Sequence, residues 1–175
     1  MADWDPAAFT KAVIADMREH GGKITGGPMA GRTLLVLTTT GAKTGEPRVA
    51  IVTYTRDGDA YAVAASKSGM PTNPAWFANL VAHPTVTIEA AGKTTEAKAV
   101  VAEGADRDTL WNRHVEAHPE FADYPQKTGG RVIPMIRLIP VGQRGPSGAI
   151  VGRRRGHRWT LAALQPEESE RPIRL

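Results

Sequence analysis

A chain of 175 residues is long enough for one well-buried domain and short for two. Apolar residues make up 41% and charged residues 23%, which excludes a disordered body, and the absence of cysteine excludes disulfides, thiolate catalysis, iron–sulfur clusters and cysteine-type zinc sites. The net charge of +4 belongs to the tail: residues 142–175 hold seven Arg against three acidic residues, leaving fifteen of each sign in 1–141, so the body offers no general case for specific nucleic-acid binding.

In chain order, Met1-Ala2-Asp3-Trp4-Asp5 is acidic where a secretory signal would be basic. No apolar run approaches the roughly 18 residues of a bilayer span, so a cytoplasmic location is expected. Asp5-Pro6 reads as an N-cap followed by proline at the first helical position, opening a helix whose Phe9, Val13 and Met17 form one apolar stripe. His20-Gly21-Gly22 ends it. The helix is read as a lid or a core element, and residues 1–30 as a unit with the loop that follows. Leu34 to Thr40 and Val49 to Tyr54 are strand-like and flank the loop Gly41-Ala42-Lys43-Thr44-Gly45-Glu46-Pro47-Arg48, a hairpin signature. Arg56-Asp57-Gly58-Asp59 turns the chain into a third strand, Tyr61–Ala65, which runs into the polar loop Ser66-Lys67-Ser68-Gly69.

Asn73-Pro74 repeats the N-cap pattern ahead of a short helix carrying Trp76, Phe77, Leu80 and Val81. Thr85–Ala90 and Thr95–Val101 alternate polar and apolar residues about Ala91-Gly92-Lys93, as half-buried antiparallel strands do. A helix over Asp106–Ala117, an aromatic-bearing loop Phe121-Ala122-Asp123-Tyr124-Pro125 and a last strand Val132–Leu138 complete the body. With about six strands, three helices and no βαβ alternation, the fold class is α+β, mainly β: a small antiparallel barrel over 31–141 with helices packed outside. Residues 142–175 read as a basic appendage without fixed structure, with one helical turn at Trp159–Leu164. Its Arg153–Arg158 cluster leaves open a weak association with an anionic membrane surface, which would place the protein at the inner membrane face; a solvated end is favoured.

Lys43 and Arg48 on one loop and Lys67 on another suit an anionic ligand, phosphate or carboxylate. Three surface cations would look the same, so a solvated hairpin tip stays open beside an anion grip. His114 and His118 stand at i and i+4 on a helix, a metal-gripping spacing, but no third ligand is evident and no metal is expected. There is no Gly-x-Ser-x-Gly elbow, no Gly-x-Gly-x-x-Gly and no Walker loop. Trp76, Trp111, Phe121 and Tyr124 could line a flat cavity, although Trp111 reads better as core.

The ordered set Leu37-Thr38-Thr39-Thr40-Gly41-Ala42-Lys43-Thr44-Gly45-Glu46-Pro47-Arg48, Ala65-Ser66-Lys67-Ser68-Gly69, Asn73-Pro74-Ala75-Trp76 with Asn79-Leu80, Asp123-Tyr124 and Ile133-Pro134 resembles the deazaflavin-dependent nitroreductase family. That family uses coenzyme F420 on a split β-barrel related to flavin-nucleotide oxidases. The resemblance implies an oxidoreductase passing hydride from reduced F420 to a small conjugated acceptor: a quinone, an enone or a nitroaromatic. It implies cofactor contacts from Lys43, Thr44, Arg48, Ser66, Lys67 and Gly69, with Pro74, Ala75 and Trp76 near the ring. It further implies a substrate pocket of Trp76, Phe121 and Tyr124, with Tyr124 and His118 as donors to the acceptor oxygen. Some members carry further tyrosines where this chain has His118 and Phe121. The expected assembly is a monomer or homodimer. The alternative function is a non-catalytic binder of a deazaflavin or related anion, and a flavin or haem ligand would suit the same barrel.

Overall fold

The computed structural model describes residues 5–141 and the short segments 153–154 and 157–158. Helix α1 (Pro6–Glu19) starts where the Asp5 carboxylate accepts the N–H groups of Ala7 and Ala8 at 2.9 and 3.2 Å, satisfying donors that the first turn leaves orphaned. Its inward face, Val13 and Met17, packs with Ile24, Leu34 and Val36. The helix is a core element on the outside of the first strand.

Six strands, β1 (Leu34–Thr40), β2 (Pro47–Asp57), β3 (Ala60–Ala64), β4 (Thr85–Ala90), β5 (Lys93–Val101) and β6 (Met135–Pro140), close a barrel in the order β1-β2-β3-β6-β5-β4, every pairing antiparallel. Successive strand residues face opposite sides, which explains the run Leu34-Leu35-Val36-Leu37. Leu35 and Leu37 point into the barrel with Val52, Val63, Val86, Ile88, Ile136 and Leu138, whereas Leu34 and Val36 meet α1. Helix α2 (Ala75–Ala82) adds Leu80 to the barrel core, leaving it 1% exposed; burial of that kind is worth about 2 kcal/mol. Helix α3 (Gly104–Ala117) covers the outer face of β3 and β6 through a second core of Ala62, Ala64, Leu110, Phe121, Ile133 and Met135. Arg137 on β6 pairs with both Asp57 and Asp106, pinning the start of α3 to the barrel.

Several elements differ from the sequence reading, two of them for visible reasons. Pro74, not Asn73, occupies the N-cap position of α2, because the Asn73 amide oxygen accepts from Arg131 at 2.5 Å. β6 begins at Met135 rather than Val132 because Pro134 has no N–H to give the ladder and the Ile133 carbonyl is taken by the Arg107 guanidinium. The aromatic loop folds into a 3-10 turn, Pro119–Asp123, continued by a one-turn helix α4 (Tyr124–Lys127). α3 starts two residues before the expected Asp106. In the tail, Arg153–Arg154 (β7) pairs antiparallel with His157–Arg158 (β8) where no regular structure is expected; the turn expected at Trp159–Leu164 lies outside the described residues.

Candidate active site

The strand directions place the two basic loops at one end of the barrel. β1 and β3 both run antiparallel to β2, so Gly41–Glu46 and Ala65–Asn73 leave from the same end. They leave at different heights. Thr40 lies opposite Pro47 and Val63 opposite Tyr54, an offset of seven residues or roughly 23 Å along β2. The second loop climbs this distance and delivers α2 beside the first.

The first loop is stitched from within. Gly41 N–H donates to the Glu46 carbonyl and Gly45 N–H to the Gly41 carbonyl, both at 2.8 Å, while Glu46 N–H donates to Thr44 Oγ1. A Cβ at Gly41 would stand 2.5 Å from Thr44 Oγ1, so only glycine permits this closure. Ala42 N–H donates to Asn79 Oδ1 at 3.0 Å, and Asn79 Nδ2 donates to Thr39 Oγ1 at 3.1 Å. With these four N–H groups engaged, the loop is left with its side chains and the N–H groups of Lys43 and Thr44 for a ligand. Lys43, Thr44 and Arg48 are exposed, and the loose Arg48–Glu46 pair at 3.8 Å leaves the guanidinium available.

Between this loop and α2 lies a groove of about 450 Å³, lined by Lys43, Thr44 and Arg48 on one rim and by Ala75, Trp76 and Asn79 on the other. Five of the residues singled out in the sequence thus meet in one place. Ser66, Lys67, Gly69 and Pro74 lie outside that lining.

The turn at Ser66–Met70 is built differently. Lys67, Ser68 and Gly69 take φ of 47°, 53° and 79°, three consecutive left-handed residues of which two carry side chains. Each of those two costs on the order of 1 kcal/mol. Gly69 is fixed by contact as well, since a Cβ there would stand 2.9 Å from Lys127 Cβ and 3.3 Å from Tyr124 Cδ1. Arg131, which the sequence reading passes over, donates to the carbonyls of Ala65, Ser66 and Met70 and to Asn73 Oδ1. Lys67 Nζ reaches Thr72 Oγ1 at 3.1 Å.

A third group of residues forms an aromatic array on the far side of this turn. His114 is fully buried and stands edge-on to Phe121, with ring centres 4.5 Å apart; Phe121 in turn meets Tyr124 at 4.9 Å. Burial first, and the neighbouring His118 second, push His114 down to a pKa of about 4, so it is neutral at physiological pH. Its Nδ1 lies 3.3 Å from Thr55 Oγ1, while Nε2 is buried with no partner among the described residues. His118 Nε2 sits 3.0 Å from the Tyr54 carbonyl, a contact that its N–H makes as donor. Phe121 is 6% exposed and packs in the second core. Tyr124 is half-buried, and its hydroxyl has no hydrogen-bond partner among the described residues. The two histidines at metal-like spacing therefore serve different neighbours.

A sequence model of the family described as F420H(2)-dependent quinone reductase matches residues 10–140. The chain belongs to that family. It is 40% identical over 121 residues to F420H(2)-dependent quinone reductase Rv1261c of Mycobacterium tuberculosis, covering 67% of this chain and 78% of the relative. A solved F420-H2 dependent reductase, FDR-A, superposes with a TM-score of 0.57 at 37% identity, over 61% of this chain and 94% of that one. A further solved structure, described as a domain-swapped dimer, gives 0.58 at 32% identity over 77% and 99%. The closed six-stranded barrel is thus the split barrel of F420-dependent reductases, and the reductase reading stands over the non-catalytic binder.

Asn79 shows what the sequence signal was. It is the single polar residue in the apolar helix Ala75–Ala82, and it is buried; a lone amide on a buried helical face requires partners. Arg131 carries no such signal. It follows Gly129-Gly130 in an irregular segment, and its partners lie 58 to 66 residues away.

Proposed function

We propose that this F420-dependent reductase passes hydride to a small quinone-type acceptor, with the cofactor's anionic tail held at the Lys43–Arg48 loop and its ring near Ala75 and Trp76. The observation that carries the reading is the groove that gathers Lys43, Thr44, Arg48, Ala75 and Trp76. Coenzyme F420 pairs a flat deazaflavin ring with a phosphate and glutamate tail, and the residues fit such a molecule: exposed cations and a hydroxyl on one rim, Ala75 and the Trp76 indole on the other. When bound, the deazaflavin supplies the hydride.

The protein's part is to hold and to protonate. Lys43 and Arg48 attract negative charge. Thr44 Oγ1 accepts Glu46 N–H and so keeps its own proton to donate. Ser66, Lys67 and Gly69 form the second contact, and Pro74 sets the entry of α2. Hydride addition to a quinone, enone or nitro group leaves negative charge on oxygen, and a donor there lowers the barrier. Tyr124 fills that role in our reading because its hydroxyl is uncommitted, whereas His118 spends its Nε2 proton on the Tyr54 carbonyl. Trp76 and Tyr124 face the acceptor, and Phe121 supports Tyr124 from behind. The assembly is a monomer or a homodimer, the latter supported by likeness to the domain-swapped dimer.

The test is a fluorescence titration of F420 with the protein, followed by anaerobic oxidation of F420H2 with a naphthoquinone. Saturable binding and quinone-dependent recovery of oxidised cofactor are expected. An unchanged signal at roughly 50 µM protein, a level that detects Kd values of that order, would sink the reading.

A further inference from the structure

We infer that Arg131 is a positioning residue for the cofactor turn, its guanidinium holding Ser66–Met70 in the form that presents backbone N–H groups to an anion. The inference rests on the cofactor reading above. The turn is strained, with Lys67, Ser68 and Gly69 all left-handed, and strained backbone persists only where its surroundings over-determine it. Arg131 supplies that constraint. Its Nη2 donates to Ser66 O and Met70 O at 2.9 Å each, its Nη1 to Ala65 O at 3.1 Å and Asn73 Oδ1 at 2.5 Å, and its Nε to Met70 O at 3.3 Å. One planar fork thereby fixes both ends of the turn, which a lysine ammonium does not reproduce.

The bonding also orients the turn. With the carbonyls of Ala65, Ser66 and Met70 drawn onto the guanidinium, the oxygens that would repel an anion are turned away. Ser66 is right-handed, with φ −79° and ψ −34°, and Lys67 is left-handed. That succession aims neighbouring N–H groups at one point and makes an anion-binding concavity. Gly69 N–H and Met70 N–H close back on the carbonyls of Ser66 and Lys67, so the available donors are those of Ser66, Lys67 and Ser68. Arg131 makes no ion pair with a carboxylate among the described residues, so its charge adds positive potential behind the turn.

The test uses the full chain with Arg131→Gln and Arg131→Lys. Hydrogen exchange without cofactor should show the Gly69 and Met70 amides, the two that are bonded within the turn, exchanging about tenfold faster in both variants, and F420 titration should show Kd raised about tenfold. Turnover at saturating F420H2 should stay within about threefold, because Arg131 touches no reacting atom. A merely structural role would lower thermal stability and leave Kd and the turn's exchange alone. Should Arg131→Gln not fold, Arg131→Lys carries the measurement. Unchanged exchange in Arg131→Lys overturns the inference whatever the cofactor does. Faster exchange with unchanged Kd overturns the link to binding. Failure of the native chain to bind F420 overturns instead the reading on which the inference rests.

Discussion

Asn79 Oδ1 accepts the Ala42 N–H at 3.0 Å, so one buried amide ties the helix that carries Trp76 to the loop that carries Lys43. The same side chain reaches Thr39 on β1, and helix, loop and strand keep a fixed spacing across the groove. Asn79→Ala leaves a loop N–H and a buried hydroxyl without their partner, at a cost of about 1–3 kcal/mol. Calorimetry should record a melting temperature lower by several degrees, and F420 titration a weaker complex. Equal affinity in a demonstrably destabilised variant would confine Asn79 to the fold.

Lys43 and Arg48 are exposed on one rim of the groove and are proposed to meet the same anionic tail, so their effects on binding should couple rather than simply add. Lys43→Ala and Arg48→Ala are each expected to raise the Kd for F420 by about tenfold, as loss of a charge-assisted contact does. Native affinity should fall with added salt, more steeply than that of the double variant. A native Kd indifferent to salt would move the anion grip away from this loop.

For Tyr124 the expected outcome separates chemistry from binding. Tyr124→Phe keeps the ring against Phe121 and removes only the hydroxyl. Turnover with a quinone should fall by about a hundredfold while the Kd for F420 stays within about twofold. Turnover unchanged by the substitution would exclude the hydroxyl as the donor.

His114 makes stability depend on pH. Its folded pKa of about 4 lies below the ordinary 6.5, so the unfolded chain takes up the proton first. The stabilisation is complete above pH 6.5 and is lost as pH falls towards 4, to a total of about 3 kcal/mol. Urea unfolding at several pH values should show this decline in the native chain, and His114→Leu should flatten it by roughly 2 kcal/mol between pH 7 and 4.5. The same decline in both chains would assign it to the carboxylates.

The strands were legible because their signals are local and periodic. The alternation in Thr85–Ala90 and Thr95–Val101 matches the burial pattern of β4 and of β5 from Thr95 on, and the unbroken apolar run of β1 reflects cover on both faces. The Asp5 cap and the Gly58-Asp59 and Ala91-Gly92 turns were equally plain. Of the polar fasteners, Asn79 shows in the sequence only that it needs a partner and Arg131 shows nothing, since both act between residues distant in sequence, where no periodicity points. The start of α2 was misplaced for the same reason. Asn73 looks like a cap until Arg131 is seen to claim its oxygen. Phe121 looked like a pocket wall, and only the packing of α3 puts it in the second core.

The space denied to a side chain at Gly69 links two tasks that selection would otherwise adjust separately. The turn assigned to the cofactor touches Tyr124 and Lys127 there with room for no added methyl group. On the roles proposed above, a substitution in Tyr124–Lys127 that reshapes the acceptor's surroundings would press directly on that turn, and a change of substrate would bring with it a change in cofactor affinity. Descendants of this chain that take up a new acceptor should carry paired substitutions on the two sides of that contact, and single ones should be rare.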